Sequence, residues 1–265
     1  MIKEYLSALA NAFRTALGIS DKIYAQDFPN KVNEVYEAGK ADGEVIGRDD
    51  FVYLISNSGT DFTTMFDGLD VTTIPKIDTS KGTNFTSMFD SCSSLMEIPE
   101  IDTSKGTNFN SMFRLCLSLI KIPKIDTSKG TNFTSMFSSC QSLIEIPEID
   151  TSKGTTFKQM FYDCRALKKI PKLNISKSWE ESYQRSIFWQ CLALEDITFE
   201  GTINFKLDIH YSPLLTKASL LSIINALKDN SASTSALSLV LGETNLAKLT
   251  DSEKAIATQK GWTLA

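Results

Sequence analysis

The chain predicts an α/β solenoid: short helices and short parallel strands, one pair per repeat, stacked into a single elongated body. Three observations carry this. A 24-residue unit is written four times, opening at Asp78, Asp102, Asp126 and Asp150. Each copy repeats DTSKGT, a Phe, a Met-Phe pair, a Cys, a Leu and a close of the type IPxI or IPxL. The copies opening at Asp78 and Asp126 differ only at Asp90/Ser138, Ser93/Gln141 and Met96/Ile144. A unit this short cannot bury its own apolar face, so neighbours must share one core.

Residues 1–48 stand outside the repeats and are read as a helical N-terminal module. Ile2, Leu6, Leu9, Phe13 and Leu17 trace a helical stripe that Gly18 stops, and Asp27 with Pro29 opens a second helix ending at Gly39. Residues 49–199 form the repeat body. Its first unit is degraded: Phe62, Met65, Phe66 and Ile74-Pro75 keep the pattern, but the unit is shorter and lacks the Cys. Terminal repeats deviate because one face has no neighbour.

Within a full copy, Phe109, Met112, Phe113 and Cys116 fall at i, i+3, i+4 and i+7, which predicts two helical turns with Thr107 or Asn108 as cap. Leu119, Ile122 and Ile125 then recur every third residue, as in a chain that bends around a core. Asp126-Thr-Ser-Lys-Gly130 reads as a turn with Gly available for a positive φ. Pro75, Pro99, Pro123, Pro147 and Pro171 share one register, so each strand is expected to be very short and its ladder interrupted at Pro.

After Leu173 the unit loosens around Trp179, and Ile187-Phe188, Cys191 and Leu194 recover the register. Trp179, Tyr183 and Trp189 are expected to plug an irregular core end. Residues 200–265 read as an α/β C-terminal cap: an alternating segment 202–211, a helix capped by Thr216, a strand 236–241, a helix opened by the capping box Thr250 to Glu253, and an edge strand Trp262–Leu264.

The MF…C…L…IP unit resembles the BspA-like leucine-rich repeats of bacterial surface proteins from Phe62 to about Phe199. The resemblance implies a right-handed leucine-rich-repeat solenoid and a role in surface attachment. The segment YLSALANAFRTALGISDKIYAQDFPNKVNEVYEAG is similar to a helical module at the head of phage and prophage tail proteins. LSLVLGETNLAKLTDSEKAIATQKGWTLA resembles the closing segment that follows such repeats in surface and tail-associated proteins.

Chemistry is sparse by comparison. Cys92, Cys116, Cys140, Cys164 and Cys191 have no CxxC spacing, so they read as small buried filler with reduced thiols. The one His, His210, gives no triad and is expected to be a satisfied side chain. No catalytic residue, cofactor or metal site is expected. The charges beside each Pro alternate by copy: Glu97 and Glu100, Lys121 and Lys124, Glu145 and Glu148, Lys169 and Lys172. Stacked rungs place opposite charges side by side, which fixes register. Glu97, Lys121, Glu145 and Lys169 are also the candidate partner-binding row.

These readings point to a non-enzymatic, adhesion-type interaction protein that binds an extracellular protein, matrix component or glycan through its repeat surface. The alternative is a structural or receptor-contacting phage or prophage tail protein. Alternating Lys and Glu give no one-sign patch for nucleic acid. No apolar run reaches the roughly 20 residues of a membrane span. No secretory leader is recognisable: either the numbering begins after a removed leader or export follows another route, which Met1 favours, and the cell surface or a virion is the expected place. A monomer is expected unless the chain is tail-associated.

Overall fold

The computed structural model describes residues 60–74, 77–178 and 186–265. The expected module over 1–48, Pro75, Trp179 and Tyr183 lie outside them. The architecture is mixed α/β, with short helices and short parallel strands.

The four copies lie side by side in register. Parallel bridges join Asp61 to Asn84, Asn84 to Asn108, Asn108 to Asn132 and Asn132 to Thr156. Two files of phenylalanines run through the interior. Phe62, Phe85, Phe109, Phe133 and Phe157 stack with centroids 5.6 to 5.7 Å apart, and Phe66, Phe89, Phe113, Phe137 and Phe161 at 5.4 to 5.6 Å. Met88, Met112, Met136 and Met160 are fully buried in the same core. Each such side chain contributes roughly 1.5–3 kcal/mol by leaving water, and facing rings add about 0.5–1.5 kcal/mol per pair.

The helix predicted over Phe109–Cys116 is not an α-helix. Residues 110–115 are a continuous run of turns. The N–H groups of Met112, Arg114 and Cys116 each donate three residues back, to the carbonyls of Phe109, Ser111 and Phe113. The N–H groups between them, of Phe109, Ser111, Phe113 and Leu115, donate instead to Asn132, Thr134, Met136 and Ser138 of the next copy. Three donors thus close turns and four bond along the stack. In an α-helix the N–H groups beyond the first turn would bond four residues back, and those of Phe113 and Leu115 would not reach the neighbour.

The turns require a left-handed residue in each pair, and two files of side-chain-bearing residues adopt it. Ser87, Ser111 and Ser135 have φ of 51 to 54°, and Ser91, Leu115 and Ser139 have φ of 59 to 62°. Left-handed backbone costs roughly 1–2 kcal/mol at a residue with Cβ, and the bond each of these N–H groups makes to the next copy offsets it. In the degraded first unit Gly68 holds the second of these positions, at φ 71°.

The glycines of the DTSKGT turn have a different purpose from the one predicted. Gly82, Gly106, Gly130 and Gly154 are absent from the positive-φ set. A Cβ at Gly130 would stand 2.4 Å from Cζ of Phe133, and one at Gly154 2.3 Å from Cζ of Phe157. Glycine is required because the phenylalanine ring of the same copy lies against the backbone.

On the other side of each copy the ladder is interrupted where the prolines predict. β1 (Lys169–Asn174) pairs in parallel with β2 (Asp196–Glu200), but the register jumps between Ile170 and Leu173, around Pro171. Buried threonines carry the contact onward: Thr103 Oγ1 donates to the carbonyl of Asp126 (2.7 Å) and Thr127 Oγ1 to that of Asp150 (2.8 Å).

The outer edge of β2 is covered by α1 (Lys217–Ala226), capped by Thr216 as predicted. Ser219 Oγ accepts from the N–H of Ile197 and donates to the carbonyl of Glu195 (3.0 and 3.1 Å), and Ser222 Oγ accepts from the N–H of Phe199 (3.0 Å). Serine hydroxyls therefore stand in for a missing strand. β3 (Leu207–Asp208), β4 (Leu237–Val240) and β5 (Trp262–Leu264) form a second parallel sheet in that order. Between β4 and β5 come α2 (Glu243–Leu246) and α3 (Asp251–Gln259), and α3 carries the predicted capping box between Thr250 and Glu253. Only two residues of the segment 202–211 are strand, yet Ile203, Phe205, Leu207 and Ile209 are buried in alternation.

Candidate interaction surface

Glu97, Lys121, Glu145 and Lys169 are all exposed and form one row across the stack. Glu145 and Lys169 are bridge partners, and Lys169 in turn stands opposite Asp196 of β2. Lys121 Nζ lies 3.6 Å from Glu97 Oε2, a solvent-exposed pair of small energetic weight. A second row runs beside the first. Lys172 Nζ reaches Glu148 at 3.1 Å and Glu200 at 3.3 Å, and the hydrogen bonds it donates to those two carboxylates hold its ammonium above the usual lysine range. Asp196 and Glu200 thus continue both alternating rows beyond the point where the repeat loosens. Their offset from the last strand encodes this, but the insertion around Trp179 hides it in the sequence.

An apolar row, which sequence reasoning missed, borders the charged one. Met96, Ile120 and Ile144 are 47%, 40% and 45% exposed, and the N–H of each of the latter two donates to the carbonyl of the one before (3.2 and 3.3 Å). The signal was present: the residue preceding each Glu or Lys of the first row is apolar in three successive copies. Exposed large apolar side chains in contiguous rows mark contact surfaces more often than isolated ones do.

Beside the second row lie two open depressions of about 840 and 850 Å³. Glu100, Lys124 and Asp126 line the first, and Lys124, Asp126, Glu148 and Lys172 are among those lining the second. Asp78, Asp102, Asp126 and Asp150 each accept the N–H of the serine two residues on, at 2.9 to 3.0 Å. That N–H and the serine hydroxyl hold these carboxyls below their usual range; at Asp150 the hydroxyl is the larger cause.

The cysteines are free and buried. They are more than filler, because every thiol donates to a phenylalanine carbonyl of the preceding copy: Cys92 to Phe66, Cys116 to Phe89, Cys140 to Phe113, Cys164 to Phe137 and Cys191 to Phe161, at 2.9 to 3.0 Å. Burial pushes the Cys92 thiol up to about 12 and the others up as well.

His210 has its partner, as expected: Nδ1 lies 2.5 Å from Asp208 Oδ1. Its ring packs on Tyr211 (3.8 Å between centroids), which in turn packs on Trp189 (4.1 Å).

Among the described residues no helix is long and apolar enough to cross a membrane. No curated protein and no solved structure matches the chain. Residues 60–174, less than half of the 265, match the model of the family described as Mycoplasma protein of unknown function, DUF285.

Proposed function

We propose that the protein is a non-enzymatic, surface-exposed interaction protein of the BspA-like type, its repeats forming a right-handed leucine-rich-repeat solenoid that binds an extracellular protein, matrix component or glycan. One observation carries this reading: the exposed rows repeat in register over successive copies, so the body presents a long regular exterior beside open depressions. A surface of this kind is extended by adding copies without disturbing the core. The family match over residues 60–174 supports a repeat-type bacterial surface protein. The tail-protein alternative leans in part on the segment preceding residue 60, outside the described residues.

Screening the full chain against glycan and matrix-protein arrays tests the proposal. A defined, saturable ligand set is the expected result. Silence across the arrays, or turnover of a bound compound, overturns it. Charge reversal at Lys121 and Glu145 then reports whether the charged row is the contact.

A further inference from the structure

Over the four repeat copies, before Asp196 extends it at one end, the row Glu97, Lys121, Glu145, Lys169 has the opposite sign at every place when read backwards. So does the row beside it, Glu100, Lys124, Glu148, Lys172. Both rows have the same midpoint, between the copies of Lys121 and Glu145. The apolar row has Ile120 and Ile144 on either side of that midpoint. A surface with this property is complementary to itself turned end for end.

We propose that this face is the interface of a homodimer in which the second copy runs antiparallel, about a two-fold axis perpendicular to the stack and passing between the copies of Lys121 and Glu145. In that arrangement Glu97 meets the partner's Lys169, Lys121 meets the partner's Glu145, and each of these contacts occurs twice, as an isologous interface demands. Ile120 meets the partner's Ile144 near the axis, so the half-exposed apolar row leaves water at the centre while charges ring it.

The alternation also excludes competing arrangements. Parallel, in-register association sets Glu97 on Glu97 and Lys121 on Lys121. An antiparallel slip of one copy sets like on like throughout the overlap. A slip of two copies toward Asp196 and Glu200 keeps the signs but sets Ile144 on the partner's Lys168 and Ile120 on the partner's Glu195, so the apolar side chains lose each other. Opposite charges across an interface fix register and suppress wrong pairings more than they add affinity.

Pairing within one chain accounts for the alternation of charge, but not for Ile120 and Ile144, exposed on either side of the midpoint. The proposal does not rest on the ligand reading above; a dimer of this kind would present two outer surfaces and gain avidity for a multivalent ligand.

Sedimentation velocity on the full chain, with two charge reversals, tests it. Wild type is expected to dimerise with rising concentration and less readily at high salt. K121E alone sets Glu against Glu145 and E145K alone sets Lys against Lys121, so each weakens self-association by about tenfold or more. An equimolar mixture of the two variants restores opposite charges at both contacts and is expected to dimerise like wild type. Charge pairing within one chain cannot produce that complementation. A wild type that stays monomeric, a K121E that dimerises undiminished, or a mixture no better than its components overturns the proposal. If a reversal impairs folding, I120C and I144C supply the second measurement. The mixture is expected to form disulfide-linked dimers faster than either variant alone, and equal rates overturn it.

Discussion

The thiol of Cys140 donates a hydrogen bond, 3.0 Å long, to the carbonyl oxygen of Phe113, which also accepts the N–H of Cys116 in its own copy. One buried carbonyl is thus shared between two copies, and the sulfur file is a ladder of weak bonds through the core.

Cys140→Ala should therefore destabilise by about 1–2 kcal/mol, through a small cavity and a lost donor. The thiols should also resist labelling until the chain unfolds. Cys92 supplies a pH test: an unfolded thiol titrates near 9.0, whereas burial holds the folded one up to about 12. Its contribution is whole below pH 9 and is lost as pH rises from there toward 12. Urea denaturation across this range should show wild type losing about 1.4 kcal/mol per pH unit more than Cys92→Ala.

Gly130→Ala forces a methyl against Phe133, 2.4 Å from Cζ. A loss of about 1–3 kcal/mol is expected from overpacking, read as a lower midpoint in thermal or urea unfolding. Combining it with Phe133→Leu should cost less than the sum of the two changes, because the smaller side chain makes room. Gly68→Ala is a control with a different cause: nothing lies within 4 Å of the added carbon, but φ is +71°.

Ser219→Ala removes the acceptor for the N–H of Ile197 and the donor to the carbonyl of Glu195. Both are left at a buried edge, at a cost of about 1–3 kcal/mol. Hydrogen exchange should accelerate at the amide of Ile197 first. Ser222→Ala, at a half-buried position, should do less.

Asp78, Asp102, Asp126 and Asp150 have folded pKa values held below 3.8 by the serine two residues on. Their contribution is present above that value and is lost as pH falls through the depressed folded value. Asp126→Asn with Asp150→Asn keeps an acceptor oxygen but no titrating group. The double variant should be less stable than wild type near neutrality and converge on it in acid, so that its loss of stability with falling pH is flatter, measured by urea midpoints on either side of about pH 4.

The sequence makes the stacking legible, because Phe, Met, Cys, Leu and Ile recur at one interval and all are buried. The charged rows follow from the same interval. The helix does not, since spacing at i, i+3, i+4 and i+7 is produced equally by consecutive turns whose corners point inward. Nothing local tells the two apart; the difference is that the N–H of Phe113 finds the carbonyl of Met136, which lies in the next copy. The role of Gly130 depends on where the ring of Phe133 lies, and the sealing of β2 depends on serines 22 and 23 residues away. The apolar row was visible at Met96, Ile120 and Ile144 but meaningless until exposure was known.

The alternation of Glu and Lys along the stack also limits how such a chain changes length. Excising one 24-residue copy, for instance the one opening at Asp126, would set Lys121 beside Lys169. Excising two would leave Glu97 beside Lys169 and every neighbour attractive. Recombination between near-identical segments should therefore leave viable descendants in even steps, so that copy number carries a parity.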